Sequence, residues 1–153
     1  MERDYYKVLL VSLSGKGKTY SSRNLDPNTT GFINVENKPL PFKNNFKYHK
    51  RCSTYQEAYN TIIEYGKNPE IKVIFFDSFS AYIDLLLADC RNIKKGFDIW
   101  NMYNEEIGKL LTLIKKVPKE MFVTAHYEIL NIEGDPEKRT KVKGEFFALL
   151  KAA

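Results

Sequence analysis

Cysteine and histidine, which build disulfide frameworks and most zinc sites, are scarce in this sequence. Its 153 residues include two of each. Cys52 and Cys90 lie far apart without a CxxC pair, and His49 and His126 do not complete a metal cluster with them. A zinc site and a disulfide-stapled fold are therefore not expected, and unpaired thiols of this kind are typical of the cytoplasm.

Long apolar runs are also missing. No apolar stretch approaches the length of about 18 residues that a membrane-spanning helix needs. The N-terminal region also lacks the apolar run of a secretory signal. The rest of the composition, 43% hydrophobic and 28% charged, is that of a globular protein, and residues 1–153 are expected to form a single domain. The net charge of +5 favours anionic partners such as nucleotides or nucleic acid, although a soluble protein with a slightly basic surface has the same balance.

Strand-like and helix-like segments alternate along the chain. Short apolar runs predict buried strands at residues 7–11, 31–35, 71–76 and 121–125. Breakers and helical spacing predict helices from residue 19 to before Asp26-Pro27, from a Ser53/Gln56 capping box to Gly66, at residues 81–95, and from Tyr103 to before Pro118. Residues 37–45, with two prolines, are predicted to be a loop.

The end of the chain differs from this alternation. Residues 127–132 and 139–142 flank Gly134-Asp135-Pro136, which predicts a hairpin. The fold class is therefore α/β, with a mostly parallel central sheet flanked by helices and a C-terminal β-hairpin.

A phosphate-binding motif follows the first predicted strand. Residues 12–19 read S-L-S-G-K-G-K-T, against the P-loop pattern G-x-x-x-x-G-K-[ST]. Gly17, Lys18 and Thr19 match, whereas Ser12 replaces the first glycine. The same tripeptide can arise by chance in a basic loop, but the strand before it and the helix after it are the context that a P-loop requires.

The chemistry of this motif predicts ATP and Mg²⁺ as cofactors. Backbone N–H groups of the loop cradle phosphate oxygens, Lys18 contacts the β- and γ-phosphates, and the Thr19 hydroxyl binds magnesium. The predicted nucleotide-binding residues are Ser14, Gly15, Lys16, Gly17, Lys18, Thr19 and Tyr20.

A second motif, which contains an acidic residue, follows the strand at residues 73–76. Asp77 follows four apolar residues, as in a Walker B motif, and lies where parallel sheets bind ligands. Many buried strands end in an aspartate that caps a helix, but together with the P-loop the position predicts a second magnesium-binding residue.

These motifs together resemble the RecA-like ATPases, and most closely the small phage-encoded members linked to single-strand annealing and recombination. The resemblance covers residues 7–144. Residues 31–37 are similar to the strand whose terminal glutamate activates water, which assigns that catalytic role to Glu36. Residues 122–126 resemble the strand that ends in a γ-phosphate sensor, often glutamine in the family, which assigns that role to His126. An ordinary solvated glutamate and a backbone-bonded histidine are the structural alternatives.

Two basic regions are further candidates. Lys138, Arg139, Lys141 and Lys143 follow the sensor strand, and the resemblance implies that Lys141 or Lys143 reaches ATP bound to a neighbouring protomer. DNA phosphate contacts, or a charged hairpin edge that prevents aggregation, explain the same residues.

The other basic region comes before Gly96. Arg91, Lys94 and Lys95 occupy the region of the family's DNA-binding loop, although cations also suit the C-terminus of a helix. The neighbouring Phe97, Trp100 and Tyr103 are candidates for stacking on bases, or for core or interface positions.

The resemblance implies an ATPase that assembles on single-stranded DNA as a homo-oligomeric ring or filament, with ATP between protomers. It would act in phage recombination or replication in the host cytoplasm. RecA-like cores often have further strands after the hairpin, so a C-terminal truncation is also consistent with it. The alternatives are a P-loop small-molecule kinase, which the scattered arginines disfavour, and a nucleotide-gated DNA-binding module without turnover.

Overall fold

The computed structural model describes residues 4–130 and 139–142. The strands are β1 (Lys7–Ser12), β2 (Thr30–Asn34), β3 (Tyr48–Arg51), β4 (Val73–Asp77), β5 (Glu120–Leu130) and β6 (Arg139–Val142). The helices are α1 (Lys18–Ser21), α2 (Tyr55–Lys67), α3 (Phe79–Ile93) and α4 (Asp98–Lys116), and a 3₁₀ turn (Ser22–Asn24) follows α1. No helix within these residues combines the length and the hydropathy needed to cross a bilayer.

The strands form a sheet in the order β1-β5-β4-β2-β3, in which each neighbouring pair is parallel. β6 pairs with the far end of β5 in the antiparallel sense, with Tyr127 opposite Val142. The predicted α/β class, mostly parallel sheet and C-terminal pairing are therefore confirmed. The predicted turn at residues 134–136, like Lys138 and Lys143, lies outside the described residues.

The two faces of the sheet carry different side chains. One face packs on α2, α3 and α4, which also contact one another, and its core includes Ile33, Phe76 and Val123. The other face carries a row of phenylalanines in register across β2, β4 and β5: Phe32 opposite Phe75, and Phe75 opposite Phe122. The rings of Phe32 and Phe75 stack with centroids 5.2 Å apart. Because side chains alternate along a strand, this face continues two residues later with Asn34, Asp77 and Thr124.

Helix α2 corrects two sequence predictions. Its N-cap is Thr54, whose hydroxyl accepts a hydrogen bond from the Glu57 backbone, so the capping box lies one residue beyond the predicted Ser53/Gln56 pair. Gly66 is not a cap, since the helix continues to Lys67. A Cβ at Gly66 would lie 3.4 Å from Cγ1 of Val117, so this glycine allows the residue before Pro118 to pack closely on the helix.

Two strands also differ from the prediction. β3 was not predicted, because its sequence, Tyr-His-Lys-Arg, has no apolar run, and β3 is an edge strand that pairs with β2 alone. β5 is one continuous strand, although the sequence predicted separate strands at residues 121–125 and 127–132. It continues because β6 provides a new partner where the parallel pairing with β1 ends.

Candidate functional site

The loop between β1 and α1 turns through two glycines in left-handed conformations. Gly15 has φ 75° and Gly17 has φ 90°, which side chains of L-residues rarely tolerate. A Cβ at either position would meet no atom within 4 Å, so the backbone angle and not crowding demands glycine. The predicted helix follows, but α1 has only four residues before the 3₁₀ turn. The positive character of this loop therefore comes mainly from its own backbone N–H groups.

Lys18 is folded back onto the end of β1. Its Nζ donates to the Ser12 carbonyl at 3.0 Å, to the Ser12 hydroxyl at 2.8 Å and to the Leu13 carbonyl at 2.9 Å. Burial lowers the pKa of Lys18, while the nearby carboxylates of Asp77 and Glu36 oppose this shift. Ser12, the departure from the P-loop pattern, thus supplies an acceptor that glycine cannot offer.

Asp77 is held between two threonine hydroxyl groups. Thr19 Oγ1 donates to Oδ2 at 2.8 Å, and Thr124 Oγ1 donates to Oδ1 at 2.6 Å. Asp77 is 3% exposed, and this burial raises the pKa of its carboxyl group, although the two hydrogen bonds favour the ionised form. The structure thus brings together the two predicted magnesium-binding residues, Thr19 and Asp77. The sequence did not predict Thr124, which lies on the neighbouring strand.

Glu36 lies just beyond β2, beside His126 near the middle of β5. Its Oε1 accepts a hydrogen bond from the Ser78 hydroxyl and is 2.8 Å from His126 Nε2, and Lys38 Nζ is 3.7 Å from Oε2. Burial acts to raise the pKa of Glu36, but the hydrogen bonds from Ser78 and His126 outweigh it, so the pKa is lowered. Glu36 is therefore a carboxylate at neutral pH.

His126 contacts the helix side of the site through its backbone, since its N–H donates to Ser80 Oγ at 2.9 Å. Its Nδ1 is buried without a hydrogen-bond partner in the described part of the chain. Nε2 is already bonded to Glu36, so Nδ1 is the ring nitrogen that could bond to a ligand.

These groups surround a cavity of about 450 Å³, here called the main cavity, which is within the usual size range of small-ligand sites. Its lining consists of Ser14, Gly15, Gly17, Lys18, Thr19, Tyr20, Asn34, Glu36, Lys38, Pro39, Leu40, Pro41, Asp77 and His126. Lys16, also predicted to bind nucleotide, is exposed and is not part of this lining. A smaller cavity of about 220 Å³ adjoins it and shares Glu36 and His126.

The oxygen ligands present fit magnesium shared with phosphate. Within residues 4–130 and 139–142, no group of three or more acidic, histidine or cysteine side chains is placed to hold a metal ion alone. Thr19 and Asp77 offer one hydroxyl and one carboxylate, 2.8 Å apart. Mg²⁺ is typically bound by one or two carboxylates together with substrate phosphates, so this pair suits it.

The structure locates only some of the basic candidates. Lys141 pairs with Glu128, which lies two residues beyond His126 on β5. Lys143 lies outside the described residues. Arg91, Lys94 and Lys95 are exposed at the end of α3. Phe97 and Trp100 are 77% and 45% exposed, whereas Tyr103 is buried in the core.

A family model described as an AAA domain matches residues 4–148 of the chain. The matched region contains the P-loop, the Asp77 strand, Glu36 and His126. No curated protein matches the chain.

Proposed function

The chain belongs to the AAA domain family and has an ATPase-type nucleotide-binding domain, and we propose that it is a magnesium-dependent ATPase that acts on single-stranded DNA. The observation that carries the ATPase proposal is the joining of Thr19 to Asp77 by a 2.8 Å hydrogen bond beside Lys18 and Glu36. One cavity thus has phosphate donors, a hydroxyl–carboxylate pair for a hard cation, and a charged carboxylate for water.

Binding of the triphosphate falls to the loop before α1. The glycine angles expose consecutive backbone N–H groups to phosphate oxygens, and Lys18 adds a cation at the base of the loop. To reach a phosphate, the Lys18 ammonium exchanges some of its three contacts at the end of β1 for phosphate oxygens.

Thr19 and Asp77 are the residues that would hold magnesium, which when bound neutralises charge on the phosphates. Thr124 acts behind them. Its hydrogen bond fixes one oxygen of Asp77 and favours the ionised carboxylate, which leaves the other oxygen directed toward Thr19.

Glu36 is the residue that would orient the attacking water. Its lowered pKa keeps it ionised at neutral pH, so it can accept a hydrogen bond from water but is a weak base. Ser78 and His126 hold one of its oxygens, which restricts the carboxylate to one orientation.

The proposed action on single-stranded DNA rests on the exposed region where α3 ends and α4 begins, residues 91–100. Arg91, Lys94 and Lys95 supply positive charge, and the exposed rings of Phe97 and Trp100 are available for stacking on bases. The resemblance to small phage-encoded RecA-like proteins supports a role in phage recombination or replication. It also supports a homo-oligomer in which Lys141 or Lys143 contacts ATP on the neighbouring protomer.

The test is ATP hydrolysis with magnesium, with and without single-stranded DNA. Turnover should rise with DNA, should vanish in Lys18→Ala, and should fall roughly 10²–10⁴-fold in Glu36→Gln while ATP binding persists. The double variant Phe97→Ala/Trp100→Ala should lose the stimulation by DNA, and Tyr6→Ala, which removes another exposed aromatic side chain, should keep it. Turnover that persists in Lys18→Ala would exclude this site, and stimulation that survives in the double variant would exclude this DNA surface.

A nucleotide-gated binding module without turnover is the second candidate. It is favoured by the fact that both Lys18 and Glu36 are already engaged within the chain. In that case the parent protein binds ATP but releases no phosphate with or without DNA. Glu36→Gln would then bind ATP and release no phosphate, like the parent. Among the residues that the structure describes, none of those lining the main cavity is an arginine, which does not favour a small-molecule kinase. A kinase would also release almost no phosphate without an acceptor.

A further inference from the structure

One part of the main cavity is lined by a proline-rich segment, residues 39–41, here called the proline segment. Pro39, Leu40 and Pro41 line the cavity together with Tyr20, which directly follows Thr19. The polar lining residues Asp77, Glu36 and His126 instead cluster at the carboxyl end of the sheet. The cavity therefore has a charged end and a largely apolar end.

The direction of the chain relates these two ends to a bound triphosphate. Glu36 lies beside His126 at the charged end, and six residues later Phe42 contacts the ring of Tyr20, with centroids 5.9 Å apart. The proline segment thus runs from the charged end to the first turn of α1. A triphosphate on the loop, with its last phosphate toward Glu36, leaves its nucleoside at the end formed by Tyr20 and the proline segment.

This segment is anchored at both ends. Asn34 Nδ2 donates to the Lys38 carbonyl at 2.7 Å. At the other end, Phe42 contacts Phe46 in an edge-to-face arrangement, and Phe46 stacks on the fully buried Phe32 at 5.3 Å. The apolar surface of residues 39–41 is therefore already formed in the folded protein.

The segment offers few groups that could distinguish one base from another. Prolines have no backbone N–H, so residues 39–41 present one amide donor, that of Leu40. Among the side chains of Tyr20, Pro39, Leu40 and Pro41, the Tyr20 hydroxyl is the one group able to form a hydrogen bond. Beside them, the Arg23 guanidinium lies over the Tyr20 ring, 4.2 Å from its centroid. Stacking on such a surface is tolerant of sequence because every base has a π-face.

We propose that Tyr20, Pro39, Leu40 and Pro41 form a base wall that binds nucleobases mainly by apolar contact, so that the site accepts ATP, GTP, CTP and UTP with little discrimination. This inference rests on the proposed nucleotide-binding function. A site that reads a base edge by hydrogen bonds rejects the wrong base by roughly 10⁴-fold or more, whereas apolar contact separates the four by about tenfold or less.

The experiment is displacement of a ribose-labelled fluorescent ATP in the presence of magnesium. ATP, GTP, CTP, UTP and inorganic tripolyphosphate are the competitors, and the four nucleotides should compete with constants within about tenfold of one another. Leu40→Ala should weaken all four by a similar factor of about 3–10 and leave tripolyphosphate unchanged, because that ligand has no base. Tyr20→Phe should preserve the ratios, and Tyr6→Ala, an exposed tyrosine outside the cavity, should match the parent.

The outcomes separate this inference from the proposed function. An ATP preference of about 100-fold or more, or loss of that preference in Tyr20→Phe, overturns the base wall while nucleotide binding stands. Failure of both the labelled ATP and tripolyphosphate to bind overturns the proposed function itself. The comparison of the four nucleotides uses the parent protein, so it remains decisive even if Leu40→Ala does not fold.

Discussion

Ser12→Ala should strengthen ATP binding although it removes a hydrogen bond. The Ser12 hydroxyl accepts from Lys18 Nζ at 2.8 Å, as one of three contacts that hold the ammonium at the end of β1. Phosphate must draw the same ammonium away from at least some of these oxygens. The hydroxyl therefore stabilises the free state more than the bound state.

The magnitude follows from the strength of a single contact. Hydrogen bonds to charged groups contribute about 1.5–3 kcal/mol, but two carbonyls remain to hold Lys18, so about 1 kcal/mol is expected for the loss of this one. That amount corresponds to about fivefold in the dissociation constant. Ser12→Ala should therefore lower the unfolding free energy of the free protein by about 1 kcal/mol and tighten ATP binding about fivefold.

Calorimetric titration with ATP and magnesium measures the affinity, and urea unfolding without nucleotide measures the stability. Ser12→Thr, which keeps a hydroxyl, is the matched control and should resemble the parent in both. Weaker ATP binding in Ser12→Ala would refute the reasoning, because the hydroxyl would then serve the bound state. Unchanged affinity would mean that Lys18 keeps its contacts to β1 when nucleotide binds.

Three further changes test other contacts. Thr124→Val should lower the unfolding free energy by about 1–3 kcal/mol and weaken magnesium-dependent ATP binding, because a buried oxygen of Asp77 loses its donor. Thr124→Ser, which keeps the hydroxyl, should retain both the stability and the binding. A Thr124→Val variant as stable in urea as the parent would contradict this assignment. Burial lowers the pKa of His49, so the stability present above its ordinary pKa of 6.5 is lost as the pH falls through the lower value. His49→Gln should therefore lose less stability than the parent between about pH 7.5 and 5.5, and equal losses would exclude this residue as a cause. Gly31→Ala should destabilise by about 1–3 kcal/mol, since the new Cβ would lie 2.5 Å from Cδ2 of Tyr65, and a combined Tyr65→Leu change should recover part of the loss if this clash is the reason.

Much of the charged end of the site could be predicted because it depends on strand ends. Lys18 and Thr19 follow one apolar run, and Asp77 ends another. The carboxyl ends of parallel strands meet at one edge, so the sequence predicted that these residues would converge. Glu36 and His126 were located by resemblance, and the structure brings them within hydrogen-bond distance of each other. Their catalytic and sensor roles remain predictions.

Contacts made by single hydroxyl groups were less predictable. Ser12 was noted as a departure from the P-loop pattern, but its bond to Lys18 depends on how the lysine side chain folds back onto the end of β1. Ser78 and its bond to Glu36 depend on the pairing of β2 with β4, which places Asn34 opposite Asp77. A pattern of apolar and polar residues along the chain does not specify which strands are neighbours.

The order of the strands explains why β5 contributes two site residues and why one of them was missed. β5 lies between β1 and β4, with His126 opposite Ser12 and Val123 opposite Phe76. Side chains two residues apart share a face, so Thr124 must point the same way as His126. Once β5 is known to adjoin β4, the residue two positions before His126 is the one able to reach Asp77. A small hydroxyl side chain there can donate to the carboxylate and fit a fully buried position. The strand order therefore makes Thr124 predictable, and without that order a threonine inside an apolar run is indistinguishable from an ordinary β-forming residue.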